Sequence, residues 1–124
     1  DQWRSFVPNQ NGEWETLNRG GFVVTENGFQ VPADGFYRLS ANVWFRAVER
    51  YTVGAGVVTQ GGIDALGLYT YGETGRNTWR NIFTTGIRRL TAGTTVAPAF
   101  YHDFDGFWAI TDLSFSAEFL HDAD

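Results

Sequence analysis

The 124-residue sequence contains no cysteine and no methionine. Without thiols, disulfide frameworks, thiolate metal centres and cysteine nucleophiles are all excluded, while the redox compartment is left open. A chain that begins at Asp1 without an initiator is expected to be a processed product or an excised domain, with any stalk or anchor outside it. No apolar run approaches the roughly 18 to 20 residues that span a bilayer, and Asp1-Gln2-Trp3-Arg4 has no signal-peptide pattern. Charge is also scarce. Asp, Glu, Lys and Arg make up 19% of the chain, low for a soluble surface. Its balance is acidic, with formal charge −5 and a pI of 4.8, so the field repels phosphate backbones and anionic lipid. Nucleic acid and membrane insertion are therefore not expected among its partners. Helical patterning is missing as well, because Gly, Thr or Asn interrupts every window long enough to hold a 3.6-residue apolar period.

What the sequence does have is apolar and aromatic surface, 43% and 17% of its residues. Its length suits a single domain over residues 1–124, too short to divide into two cores. Such a surplus asks for burial beyond one small core, against identical subunits. From Gly35 to Ala47 the pattern alternates: Tyr37, Leu39, Ala41, Val43 and Phe45 point one way, and Phe36, Arg38, Ser40, Asn42 and Trp44 the other. Further β-rich runs are expected at Phe22–Thr25, Phe29–Val31, Tyr51–Thr59, Ile63–Tyr71, Thr78–Leu90, Thr95–His102 and Ile110–Leu120. Between them lie the breakers Asn27-Gly28, Asp34-Gly35, Gly61-Gly62, Ala92-Gly93 and Asp105-Gly106. Val7–Glu13 and Gly72–Asn77 read as loops. Pro98 interrupts its run and suggests a sheet edge or a bulge. Short strands with short connections imply an all-β antiparallel sandwich or barrel.

Three segments carry a family resemblance. Glu26-Asn27-Gly28-Phe29-Gln30-Val31-Pro32-Ala33-Asp34-Gly35-Phe36-Tyr37-Arg38-Leu39-Ser40 resembles the motif of the C1q/TNF superfamily head. There an aromatic strand ends in Val-Pro, turns through Asp-Gly and re-enters on an aromatic strand. Gly86 to Val96 resembles the family's Leu-x-x-Gly-Asp-x-Val segment, and Leu113 to Leu120 its closing Phe-Ser-Gly-x-Leu strand. Thr94 and Ala117 depart from the Asp and Gly usual at two of those positions. The resemblance implies a two-sheet antiparallel jelly-roll sandwich of ten strands, assembled as a homotrimer. Trp44, on the outward register, is the candidate trimer contact.

Candidate sites follow from residue chemistry. Tyr69 to Arg80 mixes aromatics with planar polar groups, and Tyr71, Glu73, Arg76, Asn77 and Trp79 form the candidate ligand-binding set. Aromatic faces beside amide, carboxylate and guanidinium groups suit a sugar ring or a protein epitope. Tyr69, Tyr71 and Trp79 also read as strand residues filling core and interface. Asp103 and Asp105, beside His102, offer two oxygens to Ca²⁺, an ion some members of the resembled family hold; an acidic turn explains the same residues, since Ca²⁺ takes about six or more ligands. Glu13 and Glu15 flank Trp14 as a carboxylate pair of glycosidase type, and equally as a solvated strand face. No serine-hydrolase elbow, phosphate loop, dinucleotide fingerprint or zinc-protease motif occurs, so no enzyme is expected.

The resemblance, with these residues, implies one of two functions. One is a recognition head on a fibre, spike or secreted oligomer, outside a cell or on a virion, that binds a cell-surface glycan or protein receptor. The other is a trimerisation or capping module of a surface filament or virion with no specific ligand.

Overall fold

The computed structural model describes residues 2–5, 21–103 and 108–123. These form nine strands and a single turn of 3-10 helix at Ile63–Ala65: β1 (Gln2–Ser5), β2 (Val23–Thr25), β3 (Gly28–Gln30), β4 (Gly35–Ala47), β5 (Thr52–Val58), β6 (Tyr69–Glu73), β7 (Thr78–Leu90), β8 (Thr95–His102) and β9 (Trp108–Asp122). Every pairing is antiparallel. One sheet has the order β2-β3-β8-β5-β6, with β1 also paired to β8; the other has the order β7-β4-β9. After β4 the chain crosses between sheets repeatedly, with β5 and β6 in the first, β7 in the second, β8 in the first and β9 in the second.

Strand β4 organises the interior because its alternation is nearly complete. Tyr37, Leu39, Ala41, Val43, Phe45 and Ala47 are buried, while Arg38, Trp44 and Arg46 are exposed. At one end Tyr37, Leu39 and Ala41 meet Val57, Leu90 and Val96 from neighbouring strands. At the other, Val43 and Phe45 meet Val53, Ala55, Ile82 and Phe100. Both sheets thus contribute to two core clusters, and β4 runs through both.

The turn from Val31 to Gly35 is stitched to the turn before β8. Asp34 accepts the Ala92 N–H through Oδ1 at 2.7 Å, the Val31 N–H donates to the Thr94 carbonyl at 2.9 Å, and the Gly93 N–H donates to the Val31 carbonyl at 2.9 Å. Two of the segments that carry the family resemblance are therefore joined. The Tyr37 hydroxyl closes the same turn by donating to the Ala33 carbonyl at 2.7 Å. Burial raises the Tyr37 pKa above its ordinary value, the bond to Ala33 opposes that shift, and the Asp34 carboxylate adds to it. A phenol whose folded pKa is raised is neutral in both states at pH 7, and its contribution is intact below the unfolded pKa of about 10. Above that, the unfolded chain loses the proton first, so stability falls as pH rises through the folded value. Denaturant titrations from pH 8 to 11 should show this decline, and Tyr37→Phe should flatten it while lowering neutral-pH stability by about 1 kcal/mol.

The structure departs from the sequence pattern in several places. The run Ile63–Tyr71 is not one strand: Gly62 and Gly67 take φ of 92° and 60°, a 3-10 turn intervenes, and pairing resumes only at Tyr69. Gly72 and Glu73 belong to β6, so the loop is shorter than the pattern suggests. Pro98 lies in a central strand, buried. On one edge β3 pairs with Thr95 and Val96, β1 with Ala99 to His102, and Ala97 and Pro98 fall in the gap between them among the described residues. Strand β1 carries no pattern of its own and exists through β8. The Val7–Glu13 segment, Trp14 and the Glu13/Glu15 pair lie outside the described residues.

Candidate functional site

Core membership of Val96 and Phe100 assigns the even-numbered residues of β8 to the interior, so Thr95, Ala97, Ala99 and Tyr101 turn to the opposite face, where Thr95, Ala97 and Ala99 are also buried and Tyr101 is half-buried. The register then builds a row across four strands on that outer face: Trp3 opposite Tyr101, Tyr101 opposite Gly54, Gly54 opposite Tyr71. Tyr69, two residues from Tyr71, leans into it. Trp3 lies with its ring centroid 5.8, 5.7 and 5.6 Å from those of Tyr69, Tyr71 and Tyr101. Tyr71 is 5.5 Å from Tyr69 and 5.3 Å from Tyr101. These tilted and edge-to-face geometries are the favourable ones for aromatic quadrupoles. The Trp3 Nε1–H donates to the Tyr71 hydroxyl at 3.3 Å.

Gly54 makes the cluster possible. A Cβ there would stand 3.0 Å from Trp3 Cη2 and 3.2 Å from Tyr71 Cδ1, so the rings close over bare backbone. Tyr69 and Tyr71 keep much of their surface in solvent, Tyr71 being 50% exposed. Ring spacings this short leave no room for a cation between the rings, so the cluster presents ring faces and phenol hydroxyls outward and does not form a cage. One row further on, Glu73 is exposed opposite Thr52, whose N–H donates to Asp103 Oδ1 at 3.1 Å. Carboxylates thus border the rings on that side.

The sequence-derived ligand set is divided by this arrangement. Tyr71 and Glu73 share the aromatic face with Tyr69. Arg76 and Asn77 occupy the β6–β7 turn, where Asn77 has a φ of 52° and Arg76 meets Glu49 at 3.4 Å, both well exposed. The buried Thr74 hydroxyl pins that turn, donating to the Glu49 carbonyl at 2.8 Å and accepting from the Tyr51 N–H at 2.9 Å. Trp79 stands on the outer face of the other sheet, 55% exposed and 6.0 Å from the Arg46 guanidinium. Neither Tyr69, Tyr71 nor Trp79 enters the core. Asp103 serves as a backbone acceptor, and Asp105 lies outside the described residues. Among the described residues, no three His, Cys, Asp or Glu side chains gather as a metal set.

Trp3 and Tyr101 are the members that sequence reasoning does not find. Trp3 falls in no expected strand there, and Tyr101 reads only as part of the run Thr95–His102. Only the Tyr69-x-Tyr71 alternation is a local signal for the cluster.

A second surface lies on the opposite side of the sandwich. Trp44, as its register suggests, points outward from β4, and Trp79, Phe83 and Ile87 project from β7 on the same face, Phe83 being 52% exposed. Polar pairs separate them: Asn81 Nδ2 donates to Asn42 Oδ1, Ser40 and Thr85 hydroxyls meet at 2.8 Å, and Arg38 and Glu118 at 3.3 Å. His121 packs its ring 4.8 Å from that of Phe36.

No protein-family model matches the chain, and no curated protein matches it.

Proposed function

We propose that this domain is a non-catalytic recognition head of C1q/TNF jelly-roll type, a homotrimer outside the cell or on a virion, that binds a cell-surface glycan. The observation that carries the recognition part is the four-ring cluster of Trp3, Tyr69, Tyr71 and Tyr101, set on a rigid sheet and left half-open to solvent. Aromatic rings beside hydroxyls and carboxylates supply what a pyranose needs: a flat apolar surface for its C–H face and hydrogen-bond partners for its rim. Large aromatics held out in water otherwise cost free energy with no return.

The jelly-roll part is supported by the repeated crossing of the chain between two antiparallel sheets, at β3 to β4, β4 to β5 and from β6 through β9, as Greek-key sandwiches show. The trimer part is supported by the exposed Trp44, Trp79, Phe83 and Ile87, grouped on one sheet face as in subunit interfaces. Three copies of one weak site gain avidity where the target spacing permits. A head of this kind belongs at the tip of a fibre, bacterial surface filament or secreted oligomer.

A glycan array probed with the purified protein, with and without Ca²⁺, tests the reading against a purely structural capping module. Specific signals are expected, and Tyr71→Ala should weaken them at least tenfold with the oligomer intact, about 1.4 kcal/mol or more, as for loss of a stacking aromatic. A blank array with well-folded protein would assign the domain to the scaffold class.

A further inference from the structure

On the same outer face, a cavity of about 340 Å³ opens between Ser5, Asn27, Val58, Thr59, Gln60 and Thr95. It lies where the edge of β8 changes partner from β3 to β1, at the break that Pro98 occupies. Its volume falls within the range of small-ligand sites. Among the described residues the lining has no ionisable side chain; it consists of hydroxyls, carboxamides and one valine.

Several of these groups are held in place by bonds to their own backbone surroundings. Gln60 Oε1 accepts the Thr95 N–H at 3.1 Å and its Nε2 reaches the Gly93 carbonyl at 3.5 Å. Thr59 Oγ1 accepts the Gly61 N–H at 3.1 Å, which leaves its own proton to donate. Fixed neutral donors and acceptors of this kind match a polyol and give an ion no counter-charge.

The cavity and the aromatic cluster lie along one strand direction. Val58 pairs with Ala97, four residues from Tyr101, so the two sites are about 13 Å apart at strand rise. Between them Gly56 is overlain by Ile63, whose Cδ1 would stand 2.9 Å from a Cβ at that glycine, and this gives an apolar step on the path. Beyond the rings, Glu73 and Asp103 and the net charge of −5 disfavour an anionic ligand.

The geometry points to an uncharged linear oligosaccharide that lies along the outer face of the six-stranded sheet, with one sugar against Tyr69 and Tyr71 and a later unit in the Ser5–Asn27–Thr59–Gln60 cavity. This deepens the recognition-head reading and rests on it. The cavity is the length sensor and the rings are the anchor.

The test is titration of the intact protein with neutral β1,4-linked glucan, mannan and galactan oligomers from disaccharide to hexasaccharide, and with the same galactans capped by sialic acid. At least one neutral series should bind more tightly by roughly tenfold (about 1.4 kcal/mol) between the short and long members, with the sialylated forms no better. Asn27→Trp, which fills the cavity from a surface turn, and the milder Asn27→Ala should erase that length gain and leave disaccharide affinity unchanged. Tyr71→Ala should weaken every length. Matched melting curves show that each variant is folded. If neutral oligomers bind and both Asn27 variants keep the length gain, the cavity subsite is wrong while the recognition head stands. Preference for sialylated chains overturns the uncharged-ligand assignment, and no binding by any oligomer removes the recognition reading itself.

Discussion

Charged substitutions on the exposed face of the three-stranded sheet, Trp44→Asp and Phe83→Asp together, are expected to convert the proposed trimer of 13.9 kDa subunits into single folded chains. Both side chains point away from the core, since they alternate with the buried Val43, Phe45, Ile82 and Thr84. The separated subunit should therefore keep its far-ultraviolet β signature. In the trimer the same residues would be enclosed, and an unpaired carboxylate at the centre of an interface costs about 2 kcal/mol or more at each site. Across three equivalent contacts that is enough to dissociate the assembly at micromolar concentration. Light scattering coupled to size exclusion reads the result directly. Wild-type protein eluting at the mass of one subunit at such concentrations would end the trimer proposal and leave the exposed aromatics to another partner.

The largest loss of stability is expected for Phe45→Ala. Its ring is 1% exposed and packs with Val43, Val53, Ala55, Ile82 and Phe100, contributed by four strands of both sheets. Truncation removes the transfer free energy of the ring and leaves a cavity that residues fixed in paired strands cannot refill. About 3 to 5 kcal/mol should be lost, a large part of the 5 to 15 kcal/mol typical of a domain. Phe83→Ala, on the adjacent strand but outward, should cost less than about 1 kcal/mol in the dissociated subunit. Chemical denaturation of both variants in the Trp44→Asp background separates core from interface. Equal effects would mean that the two sides of β4 and β7 have been misassigned.

The candidate site was legible only in part. Tyr69 and Tyr71 alternate within one strand, so their shared face can be read locally, whereas Glu73 falls in the stretch that reads as a loop and joins that face only through β6. Trp79 lies close by in sequence, yet the β6–β7 turn carries the chain from one sheet to the other and places it on the far side of the sandwich. Proximity in sequence across such a turn says little about proximity on the surface. Conversely, Trp3 reaches Tyr71 across 68 residues through two intervening strands. Nothing about Trp3 taken alone distinguishes it from a packing residue.

β-rich runs between turn residues determined the bounds of β4, β7 and β8 to the residue and, with their short connections, the all-β antiparallel class; alternation gave β4 its inward and outward sets, because a strand's side-chain period is a property of its own backbone. It was also enough to turn Trp44 outward. Tertiary structure alone decided which strands are neighbours, and with that the aromatic row, the gap at Pro98 with its neutral cavity, and the division of the 69–80 segment between two faces. Register between strands depends on the summed burial of many distant side chains. Such a sum has no signature in any single window of the chain.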